Sequence, residues 1–272
     1  MTSPPRLTDR PALLRHRARS TDAGMFLHQE AIQSLQDRLM LVNRPFTSVA
    51  IVTGFADIWR SAFPDAKVVE DCDTLDLTPG AHDLVIHAMS LHWANDPVGQ
   101  LIQCKRALRA DGLFLCACLG GQTLQELRAV FAEVETKMTG GLSPRVLPMA
   151  EIRDLGALLQ RAGFALPVAD AEPLTVSYKS ALSLMHDLRA MGETNAMINR
   201  HKTPISRAML AQIGAQYEHS FPNPNGGVIA TYDLLYLTGW APDESQPKPL
   251  RPGSAAARLA DALGTEETKL KD

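Results

Sequence analysis

The ten residues from Ser48 to Asp57, SVAIVTGFAD, constrain the fold more than any other stretch of the sequence. The apolar run Val49–Val52 predicts a short buried strand, and Thr53-Gly54 predicts a turn into a helix. A strand, turn and helix at the start of a parallel sheet present backbone N–H groups and a helix N-terminus where nucleotide-type cofactors bind. The stretch therefore predicts an α/β domain with a cofactor site at this turn.

The turn itself is poor in glycine. Gly54 is its one glycine, whereas loops of this kind usually carry two or three at G-x-G spacing. Phe55 and Ala56 follow it, where small or flexible residues are expected. The sequence thus leaves open whether the turn still binds a ligand.

Apolar runs and helical patterns alternate along the rest of the chain. Two helices precede the first strand, and we expect them to lean on the sheet or to cover the cofactor cleft. The apolar runs predict further strands at Lys67–Val69, Asp83–Ala88 and residues 113–118, and a late pair at Leu174–Tyr178 and Ala230–Trp240. Apolar residues at three- and four-residue spacing predict one helix that begins near Pro11, capped by Asp9, and two that follow Gly54 and Asp96. The same spacing predicts helices at Met25–Val42, Thr123–Met138, Met149–Ala162, Ser180–Met191 and Thr203–His219.

Charge and cysteine usage exclude several classes of protein. A net charge of −3 argues against a general nucleic-acid or anionic-membrane binder, and no apolar run approaches the roughly 20 residues that span a bilayer. None of the four cysteines forms a C-x-x-C pair, and Cys116 and Cys118 are expected to be small core residues in a reducing compartment.

The arginines of the first twenty residues fit a transit peptide or a basic surface helix, and we favour the helix. We expect a cytoplasmic protein, with contact at the inner face of the membrane as an alternative.

An acidic cluster follows the predicted strand Lys67–Val69. It consists of Glu70, Asp71 and Asp73. An acid at the C-terminal end of a strand can accept hydrogen bonds from ribose hydroxyls or an adenine amino group. The cluster can equally form a solvated acidic loop, and the sequence does not decide between the two.

Polar side chains also follow the predicted strand Asp83–Ala88, in the segment MSLHWAND. Ligands bind at this end of open α/β sheets, so Ser90, His92 and Asn95 are expected near the cleft. His92 is the candidate catalytic base. The alternative is a histidine that packs beside Trp93.

Several motifs of this sequence together resemble one family. They are LHWANDP, LGGQTLQELR, GGLSPR, DLGALLQRAGF, DLRAMGETNA, ATYDLLYLTGW and ESQPKPLRPGSA, with DRPALLRHRAR and LMLVNRPF near the start. The order of strands and helices resembles the Rossmann-like class I S-adenosylmethionine (SAM) methyltransferase fold, with a mostly parallel sheet and a late antiparallel strand. The motifs resemble bacterial methyltransferase-like proteins related to mitochondrial complex I assembly factor five and, more distantly, the biotin-pathway malonyl-carrier-protein methyltransferase.

The resemblance implies a SAM site and a role in maturing the respiratory NADH dehydrogenase. The mitochondrial member is associated with hydroxylating an arginine on a partner subunit, so a protein partner is expected here. The residues that match the SAM-binding motifs are Gly54 in the loop, Asp71 and Cys72 at the adenine turn, and Met89 and Ser90 after the strand 83–88. No metal ligand set and no nucleic-acid partner are expected.

The cofactor half departs from the family pattern. The loop after Ile51 lacks the family's acid and keeps one glycine, and the segment between Trp59 and Leu84 has room for one strand, where this fold has two strands and a helix. The ribose-binding acid therefore has no counterpart unless Glu70 or Asp71 serves.

Three functions remain open from the sequence. The chain is a SAM-dependent enzyme, a binding protein that has lost its cofactor, or, by fold analogy, a carboxyl methyltransferase for a small acid or acyl carrier. The family-like motifs cluster after Leu119, which predicts partner binding by Gly120–Arg128 and Leu188–Asn195. We expect N-terminal helices over residues 1–45, a methyltransferase-like domain over 46–242 and a poorly packed tail over 243–272, with one short helix at Ala255–Leu263.

Overall fold

The computed structural model describes residues 6–247, 260–261 and 264–265, and the chain divides into two units, Met1–Pro242 and Asp243–Asp272. The helices of the first unit are α1 (Arg10–Arg17), α2 (Phe26–Leu41), α3 (Ala56–Ala62), α4 (Pro97–Ala107), α5 (Gln125–Thr139), α6 (Ile152–Ala162), α7 (Ala181–Ala190) and α8 (Arg207–Ser220). Its strands are β1 (Val49–Thr53), β2 (Lys67–Val69), β3 (His82–Ala88), β4 (Leu108–Gly120), β5 (Ala165–Tyr178) and β6 (Val228–Trp240). The domain boundaries expected from the sequence stay a prediction.

The six strands form one sheet in the order β2-β1-β3-β4-β6-β5. The β1–β2, β1–β3 and β3–β4 pairs are parallel, and β6 runs antiparallel to both β4 and β5. Parallel strands joined by helices, with a late antiparallel pair, are the mixed α/β architecture that the sequence predicted, and the fold class is confirmed. In such a sheet the C-terminal ends of β1, β3 and β4 form one edge, where ligands bind.

Both faces of the sheet are covered. One hydrophobic cluster packs α2, α5, α7 and α8 against one face, and it includes the fully buried Trp59 and Tyr217. A second cluster packs α4 and α6 against the other face. Cys104, Cys116 and Cys118 are buried in this second cluster as free thiols, as expected for core cysteines.

The region between β2 and β3 is short. Among the described residues it holds no helix or strand. β2 is therefore the single strand between Trp59 and β3, as the sequence predicted. Two glutamines of α4 hold the loop instead: Gln100 Nε2 donates to Cys72 O at 3.0 Å, and Gln103 Nε2 donates to Asp73 O at 3.0 Å. The acid-bearing loop is thereby fixed from the helix that packs behind it.

Three element boundaries differ from the prediction. β5 begins at Ala165 rather than at Leu174. The prediction was too short because Pro167 and Pro173 interrupt the apolar alternation, and the observed strand accommodates them because an edge strand tolerates proline. β4 begins at Leu108, directly after α4. α8 begins at Arg207 rather than at Thr203, because Ser206 supplies the side chain that caps it.

The second unit is described only in part. Ser245 Oγ donates to Asp243 Oδ1 at 2.6 Å in a turn. Of the helix expected at Ala255–Leu263, residues 260–261 are helical and the others lie outside the described residues. Within the described part of the chain, no helix is long and apolar enough to cross a membrane.

Candidate functional site

The N-terminal segment lies over the C-terminal edge of the sheet. Leu7 N and Thr8 N both donate to Asn95 Oδ1, at 2.9 and 2.8 Å, and Thr8 Oγ1 donates to Trp93 O at 2.8 Å. Asp9 then caps α1 by accepting from Ala12 N at 3.1 Å. These bonds fix α1 to the segment after β3, so that α1 covers the expected cofactor cleft.

Arg17, the last residue of α1, binds the acid of the β2 turn. Its Nη1 lies 2.9 Å from each carboxylate oxygen of Asp71. The two side chains are 4% and 2% exposed, so this is a buried ion pair. Arg10 adds two more bonds, from Nη2 to Asp71 Oδ1 at 2.8 Å and from Nη1 to the Asp71 carbonyl at 3.0 Å. Both carboxylate oxygens of Asp71 thus accept hydrogen bonds from α1.

The same guanidinium fills the space beside the loop glycine. A Cβ built on Gly54 would lie 1.9 Å from Arg17 Nη1 and 2.3 Å from its Cζ. The Cζ atom of Arg17 also lies 5.3 Å from the centre of the buried Phe55 ring, in a cation–π contact. A SAM molecule needs both the face of Gly54 and the acid of the β2 turn, and the residues present do not fit it while Arg17 holds these positions.

The buried guanidinium has hydrogen-bonding capacity left over. Arg17 Nε and Nη2 are buried and have no hydrogen-bond partner among the described residues. Unpaired buried N–H groups lower the stability of the fold. Arg17 is therefore held in place by the carboxylate of Asp71 and by packing, although not all of its donors are paired.

The other predicted cofactor residues lie along the same edge. Met89 is buried in the left-handed region, with φ of 49°, and its N–H donates to Ala117 O. Ser90 is buried and donates to Ala88 O at 3.2 Å. Burial and the Glu70 carboxylate raise the pKa of the half-buried Cys72 thiol. The structure brings these residues to one edge with Gly54 and Asp71, and their role in cofactor binding stays a prediction.

His92 lies beside Trp93, and both side chains bind Glu193. Trp93 Nε1 donates to Glu193 Oε2 at 2.7 Å, and His92 Nε2 lies 3.2 Å from the same oxygen. The other ring nitrogen, Nδ1, lies 3.5 Å from Leu119 N, which donates to it. This arrangement assigns the ring proton to Nε2, and both nitrogens are then engaged. The proposed catalytic role of His92 stays untested, and the geometry favours a positioning role.

Glu193 is a site residue that the sequence reasoning missed. Burial alone would raise its pKa, but the interaction with His92, the charge of Arg17 and the hydrogen bond from Trp93 lower it below its ordinary value. Glu193 lies about 100 positions from His92 in the sequence, so no local spacing signals the pair. The segment DLRAMGETNA, which contains Glu193, was the one available clue.

His28 of α2 was also missed. It is buried against Phe55, with ring centroids 4.5 Å apart, and it accepts the indole proton of Trp59 at 3.1 Å. The pKa of His28 is lowered to about 4, chiefly by burial; the charge of Glu193 opposes this shift and that of Arg17 adds to it. The loop after β1 therefore packs against a neutral histidine and an arginine from the N-terminal helices.

A cavity of about 490 Å³ opens next to Glu193. Most of its lining is apolar. Leu119 of β4, Leu127 and Phe131 of α5 and Leu188 of α7 contribute to it, together with the loop segments 145–149, 191–195 and 200–205. Its solvent-facing rim is basic. Pockets of this size commonly hold small molecules.

The motifs that resemble the family build this cavity. Residues of LGGQTLQELR, GGLSPR and DLRAMGETNA all contribute to its lining. Arg128 is half-buried: its Nη2 donates to Thr123 O and Leu147 O, both at 3.2 Å, and its Nε is buried. Leu124 and Leu127 of the expected partner region Gly120–Arg128 line the cavity, Arg189 on α7 is exposed, and partner binding by the two regions stays a prediction. Within the described residues, no group of three or more His, Cys, Asp or Glu side chains could hold a metal ion.

Comparison with known proteins agrees with the fold. A family model described as a methyltransferase domain matches residues 31–116. The protein named Arginine-hydroxylase NDUFAF5, mitochondrial, of Danio rerio is 38% identical over 201 residues, which are 74% of this chain and 62% of that relative. The malonyl-[acyl-carrier protein] O-methyltransferase of Gallionella capsiferriformans (strain ES-2) is 30% identical over 205 residues, which are 74% of this chain and 67% of that relative.

Two further facts bound the comparison. This chain spans 62% of the length of the Danio rerio relative, so it matches part of that protein. Among solved structures, the YcgJ protein of Bacillus subtilis aligns with a TM-score of 0.48 at 12% identity, over 78% of this chain and 99% of that one.

Proposed function

This chain belongs to the class I methyltransferase-like family that includes the NDUFAF5 arginine hydroxylases and the malonyl-[acyl-carrier protein] O-methyltransferases, and from that membership we propose that it is a cofactor-free member that binds a protein subunit during assembly of the respiratory NADH dehydrogenase. One observation carries the proposal. Arg17 occupies the face of Gly54 and both carboxylate oxygens of Asp71.

Burial makes this occupation stable against exchange with a ligand. To admit SAM, the protein would have to withdraw Arg17 from a buried carboxylate, and breaking a buried pair costs about 3–5 kcal/mol. A shift of the whole of α1 would also break the bonds from Leu7 N and Thr8 N to Asn95. A cofactor would have to supply that free energy in addition to its own binding.

The chain lacks a second feature that a SAM enzyme would need. The region between β2 and β3 holds no further strand among the described residues, so an acid for the ribose diol would have to come from the turn after β2. Asp71 is the one buried acid on this loop, and it is already paired. Glu70 and Asp73 are exposed, and Glu70 Oε2 accepts from Cys72 Sγ at 3.5 Å.

The partner is inferred from the relatives. One group of them is named for arginine hydroxylation, and the resemblance of the motifs implies a partner subunit of respiratory complex I. The role proposed here uses the fold to hold a subunit, and it needs no reaction at the edge of the sheet. Arg189 and its exposed neighbours on α7 remain available as a binding surface.

Titration of the purified protein with SAM and with S-adenosylhomocysteine tests the first half of the proposal. We expect no heat and no shift in melting temperature up to millimolar ligand, with a SAM-binding methyltransferase as the positive control. Micromolar binding by the wild type would overturn the cofactor-free proposal and favour a SAM-dependent enzyme, with His92→Ala as the first variant to assay.

Deletion of the gene tests the second half. We expect a lower level of assembled NADH dehydrogenase on native gels, restored by the wild-type gene and equally by a gene encoding His92→Gln. An unchanged level of the assembled enzyme in the deletion strain would contradict the assembly role.

A further inference from the structure

We propose that the cavity beside Glu193 binds a single-chain anionic amphiphile, with its alkyl or acyl chain in the cavity and its carboxylate or phosphate in an adjoining basic recess. This goes beyond the proposed function. It concerns a different part of the sheet edge from the Arg17–Asp71 pair, and it holds whether or not SAM binds.

The interior of the cavity suits an alkyl chain. Leu119, Leu124, Leu127, Phe131 and Leu188 contribute buried side chains to its wall. A chain that covered these side chains would remove apolar surface from water on both partners. A short dicarboxylic group would leave the same walls uncovered.

The recess next to the cavity suits an anion. It has a volume of about 380 Å³ and is lined by His16, Arg19, Arg189 and Thr194. Three of these four residues, all except Arg19, also line the cavity, so the two spaces are adjacent. Arg19 and Arg189 are both exposed, and neither side chain forms a salt bridge with a carboxylate of the described residues.

Two other cations of the rim, Arg145 and Arg200, are already paired with acids. Arg145 lies 2.5 Å from Glu135 Oε1, and Arg200 lies 2.8 Å from Asp9 Oδ2. Burial alone would raise the pKa of Glu135, but hydrogen bonds from Arg145 and Ser143 lower it to about 2, so that pair stays charged at neutral pH. Lys202 lines the cavity and forms no salt bridge with the described residues, so the recess, with Arg19 and Arg189, holds two of the three unpaired Arg and Lys side chains of this opening.

The acid in the lining does not compete for the head group. Glu193 is bound by His92 and Trp93, and its side chain is 9% exposed. It lies on the cavity side, where the chain of the amphiphile would run. A ligand with its charge at one end satisfies both environments, whereas a cationic amphiphile would place its charge against Arg19 and Arg189.

Three probes with the same tail test the charge preference. Calorimetry with dodecyl phosphate, dodecanol and dodecyltrimethylammonium, each below its critical micelle concentration, compares anion, neutral and cation. We expect the anion to bind with the highest affinity and the cation with the lowest. Equal or tighter binding of the cation would overturn the proposal, as would the absence of binding by the anion.

Two variants locate the bound molecule. Arg19→Glu/Arg189→Glu reverses the charge of the recess, and we expect it to weaken binding of the anion by roughly tenfold or more and to leave dodecanol unchanged. Val146→Trp fills the cavity from a half-buried loop position, and we expect it to abolish binding of all three probes. Arg153→Glu/Arg161→Glu, at two exposed positions of α6, is the matched control with the same loss of positive charge. An anion that binds Val146→Trp as it binds the wild type would overturn the proposal.

The amphiphile has two sources, a soluble fatty acid or phosphate ester and a lipid taken from a membrane. Flotation with phosphatidylglycerol vesicles separates them. Vesicle binding that Val146→Trp abolishes assigns a membrane lipid, and binding of the monomeric probe without vesicle binding assigns a soluble ligand. Vesicle binding that Val146→Trp leaves intact, with no binding of the monomeric probe, would show surface adsorption and overturn the proposal.

Discussion

Arg17 at the end of α1 and Asp71 after β2 form a buried ion pair, with Arg17 Nη1 2.9 Å from each of the two carboxylate oxygens. The pair lies at the sheet edge where the resemblance places the adenosine of SAM. An arginine of the chain thus makes the contacts that the cofactor would otherwise make. The N-terminal helix is part of the site, and it is the element that distinguishes a cofactor-free binding protein from the SAM-dependent enzymes among the three functions left open by the sequence.

Replacement of Asp71 is expected to lower the free energy of unfolding more than replacement of Arg17. Asp71→Asn leaves the Arg17 charge buried without a counter-charge, and we expect a loss of about 3–5 kcal/mol in the free energy of unfolding. Arg17→Met leaves Asp71 paired with Arg10 at 2.8 Å and removes two unpaired donors, so its cost is expected to be smaller. Urea unfolding of both variants measures the difference. A cost below about 1 kcal/mol for Asp71→Asn would mean that solvent screens the pair.

We expect that position 54 must be glycine because its face accommodates the Arg17 guanidinium, and not because it binds a ligand. Gly54→Ala places a Cβ 1.9 Å from Arg17 Nη1, so the guanidinium must move away from Asp71. We expect a loss of about 1–3 kcal/mol of stability in the absence of any ligand. In the background of Arg17→Ala the same substitution should cost much less, which a double-mutant cycle by thermal unfolding would measure. Equal costs in the two backgrounds would disprove the contact.

Stability is expected to fall on mild acidification because of His28. Its pKa is lowered from 6.5 to about 4, chiefly by burial. Between these values the unfolded chain binds the proton and the folded chain does not, so the free energy of unfolding decreases as the pH falls from 6.5 towards 4. The change amounts to about 3 kcal/mol for a fully buried group.

A variant isolates this contribution. His28→Gln keeps an acceptor for the Trp59 indole and removes the titrating ring, so it should flatten the decline measured by urea unfolding at pH 7 and at pH 5. His186→Gln, at an exposed position of α7, is the control and should leave the decline unchanged. An undiminished decline in His28→Gln would assign the pH dependence to other buried groups.

Arg128 and Arg189 are expected to respond differently to charge reversal. Arg128→Glu loses two bonds to backbone carbonyls and leaves these acceptors facing a carboxylate, so it should destabilise the fold by about 1–3 kcal/mol. Arg189→Glu, at an exposed position, should stay within about 0.5 kcal/mol of the wild type. Circular dichroism melts compare the two. Similar melting temperatures would show that Arg128 does not hold the cavity wall.

Local signals made much of the fold predictable from the sequence. β2 was placed at its observed residues, because Lys67–Val69 is a short apolar run between turn residues. The cap of α1 by Asp9 and the left-handed end of α6 at Gly163 follow from residue types with fixed local preferences. β5 was shortened in the prediction, because its pairing with β6 rather than its own alternation fixes it as a strand.

The candidate site was less predictable, because its contacts are distant in sequence. Asp71 was named from its place after a strand, but 54 positions separate it from Arg17, and no pattern in the sequence joins them. The basic residues of α1 were interpreted as a surface face, whereas Arg17 is buried. Glu193 could not be predicted for the same reason: it is a single acid in a loop, and 100 positions separate it from Trp93, which it contacts in the fold.

The central claim is that Arg17 holds the place of the cofactor, and nuclear magnetic resonance of the arginine side chains tests it most directly. The protein is labelled with ¹⁵N-arginine, and the Arg17 guanidinium signals are assigned by their loss in Arg17→Lys. We predict protected signals that do not change as SAM is added to millimolar concentration. Arg17 signals that shift or lose protection in a saturable way at micromolar SAM would show that the cofactor displaces the arginine, and would contradict the account.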